Sequence, residues 1–593
     1  MRVSISGPLS MAFVLSATFA AAQPQPQPQP IPLPVAPPTP PTPPAAGAGQ
    51  PVPPSSAAQP TPPAAGQPVP VPPPDAPPTP PPPGAVVAAP VPPPAPAKVF
   101  PAEAPLAKKH HGHHEDAPLA GWHGSFYIRD PHDWIRAYPK ARVHIDYNGF
   151  FGPGVTDIKA ADGGNALKSR FFVRRMELEM AGQILKRWTF NAGAEIGSQT
   201  IGNANGKTEN AAGPAGVDPT AESARFAAVQ TPGATVSLQD NWINYSAFPF
   251  LNFMFGQYQA PFGLENRTGN KETPFMERNL AIRGFVFPNS KEIGLTIWGE
   301  TKNKVFNYEI GVFGGDGQNR RQVDNRADFI GRVFARPLAT GGKGLLEKAQ
   351  IGMSARHGQR DSEDVGYDYS AITTGNGWAL WNPGYTDSLG RVVHVVPSGA
   401  QNQIGGELRL PISRIALQGE AYYVANNTRE AVDGFQLTNT ERLGQMRGVG
   451  WYVQLSGWLG DSYVTGDPGF ARPTTVDLTK PVDKPKKGLE LLAIVSGVNA
   501  TYDAGGREDN LGTPNDEKNT ADGDITTLQY GFGANYWATK HIRVTLNYSI
   551  YHTPGSNSAD NAAKVPGNTA RGDLKDDSAH MLHELGARVG AQF

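Results

Sequence analysis

The residues best suited to chemistry in this chain are arginines and glutamates that alternate with apolar neighbours. A guanidinium group stays charged and offers several planar donors, so it can bind oxyanions. Arginines with this placement are Arg175, Arg332, Arg356, Arg409, Arg543 and Arg588. Glutamates that share it are Glu177, Glu179, Glu195, Glu407, Glu420 and Glu584. Each arginine could therefore bind an anion or form a salt bridge with a carboxylate on a neighbouring strand.

Other kinds of site have little support in the sequence. The chain has no cysteine, which excludes disulfides, thiolate metal sites and cysteine nucleophiles. Its later histidines are scattered, with no recognisable nucleophile segment. The cluster "KKHHGHHED" at 108–116 could take a divalent metal, but adventitious binding in a flexible segment is the simpler explanation. A net charge of -1 argues against a nucleic-acid binder. We predict no enzyme, no cofactor and no dedicated metal site.

The elements that must position these charges are β-strands. The chain ends "MLHELGARVGAQF", in which one row of alternate residues is apolar: Leu585, Ala587, Val589, Ala591 and Phe593. A two-residue period with one apolar row indicates a strand between an apolar medium and a wet one. The segments "TLQYGFGANYW" and "HIRVTLNYSIY" have the same pattern and are separated by a short turn, whereas long polar loops precede them.

The apolar medium is predicted to be lipid. No stretch after residue 22 approaches the roughly 20 apolar residues of a membrane-spanning helix, but barrel strands need only one apolar face. Aromatic residues near strand ends resemble the interfacial girdles of membrane barrels: Trp188, Trp242, Trp298, Trp451 and Trp537. A soluble β-sandwich is the alternative for any single strand. We predict an all-β protein, an antiparallel transmembrane barrel of about sixteen strands.

Three regions follow one another along the chain. Residues 1–22 have a basic residue, an apolar stretch and small residues before a cleavage site, which predicts a secretory signal peptide. Residues 23–121 are a disordered, Pro-rich and His-containing linker that could extend on the order of 200 Å. Residues 122–593 form the barrel. The linker is predicted to lie in the periplasm, where it either contacts peptidoglycan or a periplasmic protein or acts as a spacer without a partner.

Several segments resemble one known family. They are "RFFVRRMELEMAGQILKRWTFNAGAEIG", "LQDNWINYSAFPFLNFMFGQYQAPFGLE" and "FMERNLA", which contain Arg174–Arg175, Gly256–Gln257, Pro261–Phe262, Glu265 and Phe275–Arg278. In this order and spacing they resemble the phosphate-selective porin O and P family, from about residue 122 to the end. Two features depart from the family pattern. Gln259 stands where members often carry lysine, and the Pro-rich stretch lies outside the pattern.

The resemblance implies a homotrimeric sixteen-stranded porin of the Gram-negative outer membrane, surrounded by its lipid, that passes small anions such as phosphate or polyphosphate. It also implies that the long segment between the strands near Phe253 and Ile293 folds into the pore, although a solvated surface loop is the alternative. Candidate pore and anion-binding residues are Arg174, Arg175, Arg267, Lys271, Arg278, Arg283, Arg332 and Arg543.

Two other functions fit the sequence. One is a general-diffusion porin without phosphate preference, and the other is a structural outer-membrane anchor tethered to the cell wall by the Pro-rich arm. Conductance separates a porin from an anchor, and ion selectivity separates the two kinds of porin.

Overall fold

The structure, a computed structural model, describes most of the chain after residue 117. The described residues are 118–151, 169–196, 236–285, 291–320, 322, 324–341, 344–361, 367–375, 379–381, 385–386, 392–432, 443–461, 468–469, 473, 475–476, 478, 480–482, 484–503, 523–552 and 581–593. The predicted signal peptide, nearly all of the predicted linker and the histidine cluster lie outside the described residues.

Sixteen strands in the described part of the chain form one closed antiparallel barrel. They are β3 (Ile135–Phe151), β4 (Arg170–Ile184), β5 (Trp188–Ile196), β7 (Asn241–Phe248), β8 (Leu251–Gln259), β9 (Lys291–Glu300), β10 (Phe306–Phe313), β11 (Asp328–Ala335), β12 (Gln350–Arg360), β16 (Val392–Ile412), β17 (Ile415–Val432), β18 (Leu443–Gly460), β19 (Gly488–Asp503), β20 (Gly523–Thr539), β21 (Ile542–His552) and β22 (Met581–Gln592). Each pairs with the next, and β22 pairs with β3 to close the barrel, with Val589 opposite Ile145.

Short elements complete the described fold. The strands are β1 (Ala120–Trp122), β2 (Phe126–Arg129), β6 (Val236–Leu238), β13 (Ile372–Thr373), β14 (Ala379–Trp381) and β15 (Tyr385–Thr386). The helices are α1 (Leu280–Phe285) and a 3-10 helix at Gly344–Lys348. β1 and β2 form a hairpin on the edge of β3, and β13 pairs with β14 in a separate small sheet. No described helix is long and apolar enough to cross a membrane.

The barrel wall alternates as the sequence predicts. In β22, Val589 points outward and is 55% exposed, whereas its neighbour Arg588 points inward and is 2% exposed. The same two-sided pattern continues across the neighbouring strands, because one face meets lipid and the other meets the lumen. The terminal residue pairs with the first strand of the barrel. Phe593 exchanges backbone hydrogen bonds with Ala141 at 3.0 and 3.1 Å, and its ring packs against Phe126.

The two ends of the barrel differ. At one end, here called the turn end, short turns join β4 to β5, β7 to β8, β16 to β17 and β20 to β21. The connection between Gly460 and Gly488 is a long exception at that end. Long connections join strands at the other end, here called the loop end, among them the segment between β8 and β9.

The aromatic girdle is only partly as predicted. Trp188 is 44% exposed on the outer surface. In contrast, Trp537 is 2% exposed and faces the lumen, and the indole N–H of Trp298 donates inside the barrel to Asn244 Oδ1 at 2.8 Å. The assignment of these two tryptophans to the girdle was wrong because each lies next to an outward residue, Tyr536 or Ile297, and neighbouring side chains in a strand face opposite ways.

Candidate functional site

The segment that follows β8 folds into the barrel. We call residues 260–285 the lumen loop. Its apolar side chains are fully enclosed, since Phe262, Leu264 and Leu280 are each 0% exposed. At its end, α1 packs against β17, β18 and β19. A Cβ atom at Gly450 would lie 2.9 Å from the side chains of both Ala281 and Phe285, so glycine allows the helix to approach the wall. The inward fold agrees with what the family resemblance implies and not with the surface-loop alternative.

A buried carboxylate attaches the start of the lumen loop to the wall. Glu420 on β17 accepts hydrogen bonds from the backbone N–H groups of Leu264, at 2.5 Å, and Glu265, at 2.9 Å. The hydroxyl of Tyr452 donates to the same carboxylate at 2.7 Å. Glu265 in turn accepts from the backbone N–H of Asn279 at 2.9 Å. These bonds hold the loop in one position across the lumen.

Three predicted arginines hold this loop in place. Arg267 forms an ion pair with Glu309 at 2.9 Å. Arg278 donates to Glu265 O, to Thr268 O at 2.9 Å and to Asn270 Oδ1 at 3.1 Å, all within the loop. Arg283 donates to Thr373 O at 3.0 Å. Lys271 differs from them because it is exposed, and in the described part of the chain it has no ion pair or hydrogen bond.

The predicted pair Arg174–Arg175 lies at a bulge in β4. His144 pairs with Arg175 and Ile145 pairs with Val173, so Arg174 is the additional residue. A bulge places two successive side chains on one side of a strand. Arg174 therefore reaches the lumen loop, where it forms a bidentate pair with Glu277 at 3.0 and 3.2 Å. Arg175 also faces inward, 3.5 Å from Glu177 and 3.9 Å from Glu195.

A row of paired positions at this wall crosses four neighbouring strands, three of which contribute a basic side chain. Arg175, His144, Gly590 and Arg543 are successive partners on β4, β3, β22 and β21. We call this set the basic row. Arg543 donates to Thr273 O in the lumen loop at 2.8 Å, and its guanidinium lies 4.9 Å from the centre of the Trp537 ring.

Several donors of this wall remain open. Arg142 Nη1, Arg175 Nε and Arg543 Nη2 are buried and have no hydrogen-bond partner among the described residues. Within that same part of the chain, no carboxylate forms an ion pair with Arg543. An open N–H group of a buried guanidinium can donate to an oxyanion, and for Arg543 this requires no salt bridge to be broken first.

The arginines of the far wall are already paired. Arg332 forms a bidentate pair with Glu407 at 2.7 and 2.8 Å. Arg356 and Arg360 share Asp328, at 2.5 and 2.6 Å. Because adjacent opposite charges largely cancel, this wall contributes less field to the lumen than its arginine content suggests.

Comparison with known proteins gives the family. The sequence matches the family described as phosphate-selective porin O and P over residues 140–574. The chain belongs to this family. The match includes the lumen loop and the barrel strands up to β21, so this porin is an outer-membrane β-barrel channel. No curated protein sequence matches the chain significantly.

Several solved outer-membrane proteins match this chain at low sequence identity. Outer-membrane-expressed OmpT of Vibrio cholerae is 9% identical with a TM-score of 0.40, and the alignment covers 79% of this chain and 100% of that one. A trimer form of OmpT from the same organism is also 9% identical, with a TM-score of 0.40, and the alignment covers 78% of this chain and 100% of that one. The outer membrane channel DcaP of Acinetobacter baumannii is 10% identical, with a TM-score of 0.40, and the alignment covers 77% of this chain and 97% of that one.

One loop carboxylate of the porin connects the basic wall to the lumen loop. Burial would raise the pKa of Glu277, but the charges of Arg174 and Arg588 outweigh it and lower the pKa to about 2. Arg588 lies 3.0 Å from Glu277 and 2.7 Å from Asp146. Glu277 is therefore ionised at neutral pH and neutralises part of the arginine charge around it.

Two further segments of the porin enter the lumen. From the loop end, Gly375 N donates to Tyr551 OH at 2.8 Å. From the turn end, Gly469 N donates to Thr268 Oγ1 at 2.7 Å, and Gly469 O accepts from Arg332 at 2.6 Å. The lumen loop thus lies between two other inserted segments, and the open path past them is narrower than the barrel itself.

The sequence also contained residues of the basic wall that were not among the candidates. Lys140, Arg142 and His144 occupy alternate positions in "KARVHIDY" and face inward beside β4. They alternate in step with Asp146, and this shared spacing of two residues could have shown that all of them face the lumen. Their proximity to Arg543 depends on barrel closure between β22 and β3, which the sequence of one strand does not reveal.

Proposed function

We propose that this porin passes small anions by passive diffusion and that phosphate is among its solutes. The single observation that carries the proposal is the basic row, with open donors on Arg175 and Arg543 beside a lumen loop that carries the unpaired Lys271. Lys271 lies two residues before Thr273, which accepts from Arg543. Unpaired charges in a narrow path with low-dielectric walls produce a focused field.

A phosphate ion fits this chemistry better than chloride does. Its several oxygens can accept from more than one guanidinium at once, and planar donors favour such contacts. Gln259, which stands where family members often carry lysine, is not part of the basic row. It lies on β8 and donates to Thr268 O at 3.3 Å. Arg174 and Arg278 contribute indirectly in this proposal, since both hold the lumen loop in place.

The proposal is tested by phosphate block of chloride current in planar bilayers. Lys271→Gln combined with Arg543→Gln should raise the half-blocking phosphate concentration about tenfold, which corresponds to about 1.4 kcal/mol. Lys304→Gln is the matched control, because Lys304 is exposed in the turn between β9 and β10. Heat-modifiable gel mobility verifies folding. Unchanged block in the folded double variant would favour a general-diffusion porin, and a wild type without conductance would favour a structural anchor.

We also propose that the porin is a homotrimer. β7, β10 and β11 have 8 residues each, fewer than the about 9–11 residues that a tilted strand needs to cross a bilayer. A wall of short strands is poorly matched to lipid, and contact with neighbouring copies would cover it. Mass measurement of the detergent-solubilised porin should give three chains per particle, and a single chain would contradict the assignment.

The Pro-rich arm is proposed to extend into the periplasm. An even number of barrel strands places both barrel ends on one side of the membrane, and short turns in such barrels face the periplasm. There the arm could contact peptidoglycan or a periplasmic protein. Co-sedimentation of the porin with purified peptidoglycan, with and without residues 23–117, tests the first of these partners.

A further inference from the structure

The outward surface of the barrel changes from apolar to polar toward the loop end of β17 and β18. On β17, the outward residues from Ile415 to Ala425 are apolar or glycine, and on β18 the same is true from Val449 to Leu459. Each stretch is close to the about 9–11 residues that a tilted strand needs to cross a bilayer. The two stretches therefore mark the hydrocarbon layer, and the outward residues beyond them lie at the level of the lipid headgroups.

Polar side chains continue this boundary across neighbouring strands. One row of successive partners on β12, β16, β17, β18 and β19 contains His357, Asn402, Ala425, Arg447 and Thr501. Only Ala425 in this row is apolar, and Nδ1 of His357 lies 2.7 Å from Asn402 Oδ1. We call the outward polar residues at this end of β17, β18 and β19 the outer polar band: Asn427, Arg429, Gln445, Arg447, Asn499, Thr501 and Asp503.

The outer polar band carries positive charge on the lipid-facing surface. Among the described side chains, arginine occurs on the outward rows of the barrel strands only at Arg429 and Arg447. Arg447 is exposed and forms no ion pair or hydrogen bond within the described part of the chain. The band contains one carboxylate, Asp503, which lies opposite Gln445. The two arginines therefore give the band a net positive charge, which attracts anionic headgroups.

The side chains beside Arg447 indicate which headgroup the band would bind. A guanidinium binds phosphate oxygens through two parallel hydrogen bonds. Arg447 lies opposite Thr501, and Asn499 is the next outward residue of β19. On its other side Arg447 lies opposite Ala425, whose small side chain leaves space. Amides and hydroxyls donate and accept, so they suit the hydroxyl groups of a sugar. The band thus combines donors for a phosphate with partners for an adjoining sugar.

The turn end of the same strands carries no comparable band. There the outward residues stay apolar up to the strand ends, and Ile412, Ile415 and Leu459 are all exposed. The polar extension therefore belongs to one side of the membrane. In the proposed orientation, with the turn end in the periplasm, the outer polar band lies in the outer leaflet.

We propose that the outer polar band binds a glycolipid of the outer leaflet whose sugar headgroup carries phosphate. Arg447 contacts the phosphate, Asn499 and Thr501 contact the sugar, and Arg429 adds positive charge farther from the hydrocarbon layer. This places the lipid on the outside of the barrel, separate from the anion path through the lumen. The choice of leaflet rests on the proposed orientation, whereas the binding chemistry rests on the band alone.

Native mass spectrometry of the purified full-length porin in detergent, titrated with lipid A, tests this surface. Lipid A is a disaccharide lipid that carries phosphate. Arg429→Gln combined with Arg447→Gln should raise the half-saturating lipid A concentration about tenfold. Arg414→Gln is the matched control, because Arg414 is exposed in the turn between β16 and β17, at the turn end. Phosphate block of the chloride current should be unchanged in both variants.

Four results would overturn the proposal. They are no lipid A binding by wild type, unchanged binding by the folded double variant, equal binding of dephosphorylated lipid A, and equal binding of phosphatidylglycerol, which lacks the sugar. Loss of subunit association in the double variant would also contradict it, because the face would then be a contact between copies. Should the double variant fail to fold, Arg447→Gln alone should raise the half-saturating concentration about threefold. Binding in detergent does not depend on orientation, so an incorrect orientation would appear only in protease protection of the Pro-rich arm.

Discussion

The paired and unpaired cations of the lumen have different roles. Arg174 and Arg588 each contact Glu277, so much of their charge is cancelled and they hold the lumen loop in place. Arg543 and Lys271 form no ion pair in the described part of the chain. The field that a passing anion meets depends on this second group more than on the total number of arginines.

Removing the charge of Glu277 should therefore increase anion preference. Glu277→Gln leaves Arg174 without its carboxylate, so the permeability ratio of chloride to potassium should rise about twofold, equivalent to about 0.4 kcal/mol. Reversal potentials measure the ratio. Glu347→Gln, an exposed change in the 3-10 helix, is the control. An unchanged or lower ratio for Glu277→Gln would contradict the role assigned to this pair.

The pH dependence of this contact follows from the lowered pKa. The pKa of Glu277 falls from 4.5 to about 2 in the folded porin, because two arginine charges outweigh the effect of burial. Its stabilising contribution is therefore fully present above pH 4.5 and is lost as pH falls through about 2. The attachment of the lumen loop through Glu277 is thus insensitive to pH across the physiological range.

At the scale of elements, β22 shows how strongly one strand constrains its residues. Val589 faces outward, while a Cβ at Gly590 would lie 3.1 Å from the His144 ring inside the barrel. A polar side chain introduced on the outer row would face lipid, which cannot solvate it. A polar side chain on the inner row would face water or other side chains. The cost of a charge should therefore depend on which row carries it.

Replacing Val589 by arginine should destabilise the folded barrel by about 2–4 kcal/mol if the residue lies near the middle of the membrane. Gln592→Arg, at the turn end of the same strand, should cost less. The free energy of unfolding from lipid vesicles in urea measures both changes. Equal costs at the two positions would mean that the outward row is assigned incorrectly.

The strands could be predicted because the alternation of apolar and polar residues is visible within each segment. The geometry of the site could not, because it depends on the register between neighbouring strands. The alternation from Leu585 to Phe593 could be derived from the sequence alone. The bulge that turns both Arg174 and Arg175 inward could not, because it arises from pairing with His144 and Ile145 on β3. The attachment of Arg278 to backbone carbonyl groups likewise requires the folded loop.

At the scale of the whole molecule, charge is distributed unevenly around the lumen. The wall formed by β3, β4, β21 and β22 carries the basic row, while arginines on β11 and β12 are paired with Glu407 and Asp328. The lumen loop, attached to both sides, separates these regions. Anions should therefore follow one wall and not the centre of the barrel.

The orientation of the molecule in the membrane gives another prediction. With the turn end in the periplasm, protease added to intact cells should leave the Pro-rich arm uncleaved, whereas permeabilised cells should lose it. Immunoblots against a tag placed after residue 22 detect the difference. Cleavage of the arm in intact cells with an undamaged outer membrane would reverse the topology.

The most direct measurement of the central claim is the reversal potential of the purified wild-type porin in a planar bilayer across a salt gradient, before and after addition of phosphate. The unpaired charges of Arg543 and Lys271 should make the potential anion-selective in potassium chloride, and phosphate should reduce the chloride current. A cation-selective or zero reversal potential, or chloride current that phosphate leaves unchanged, would contradict the account.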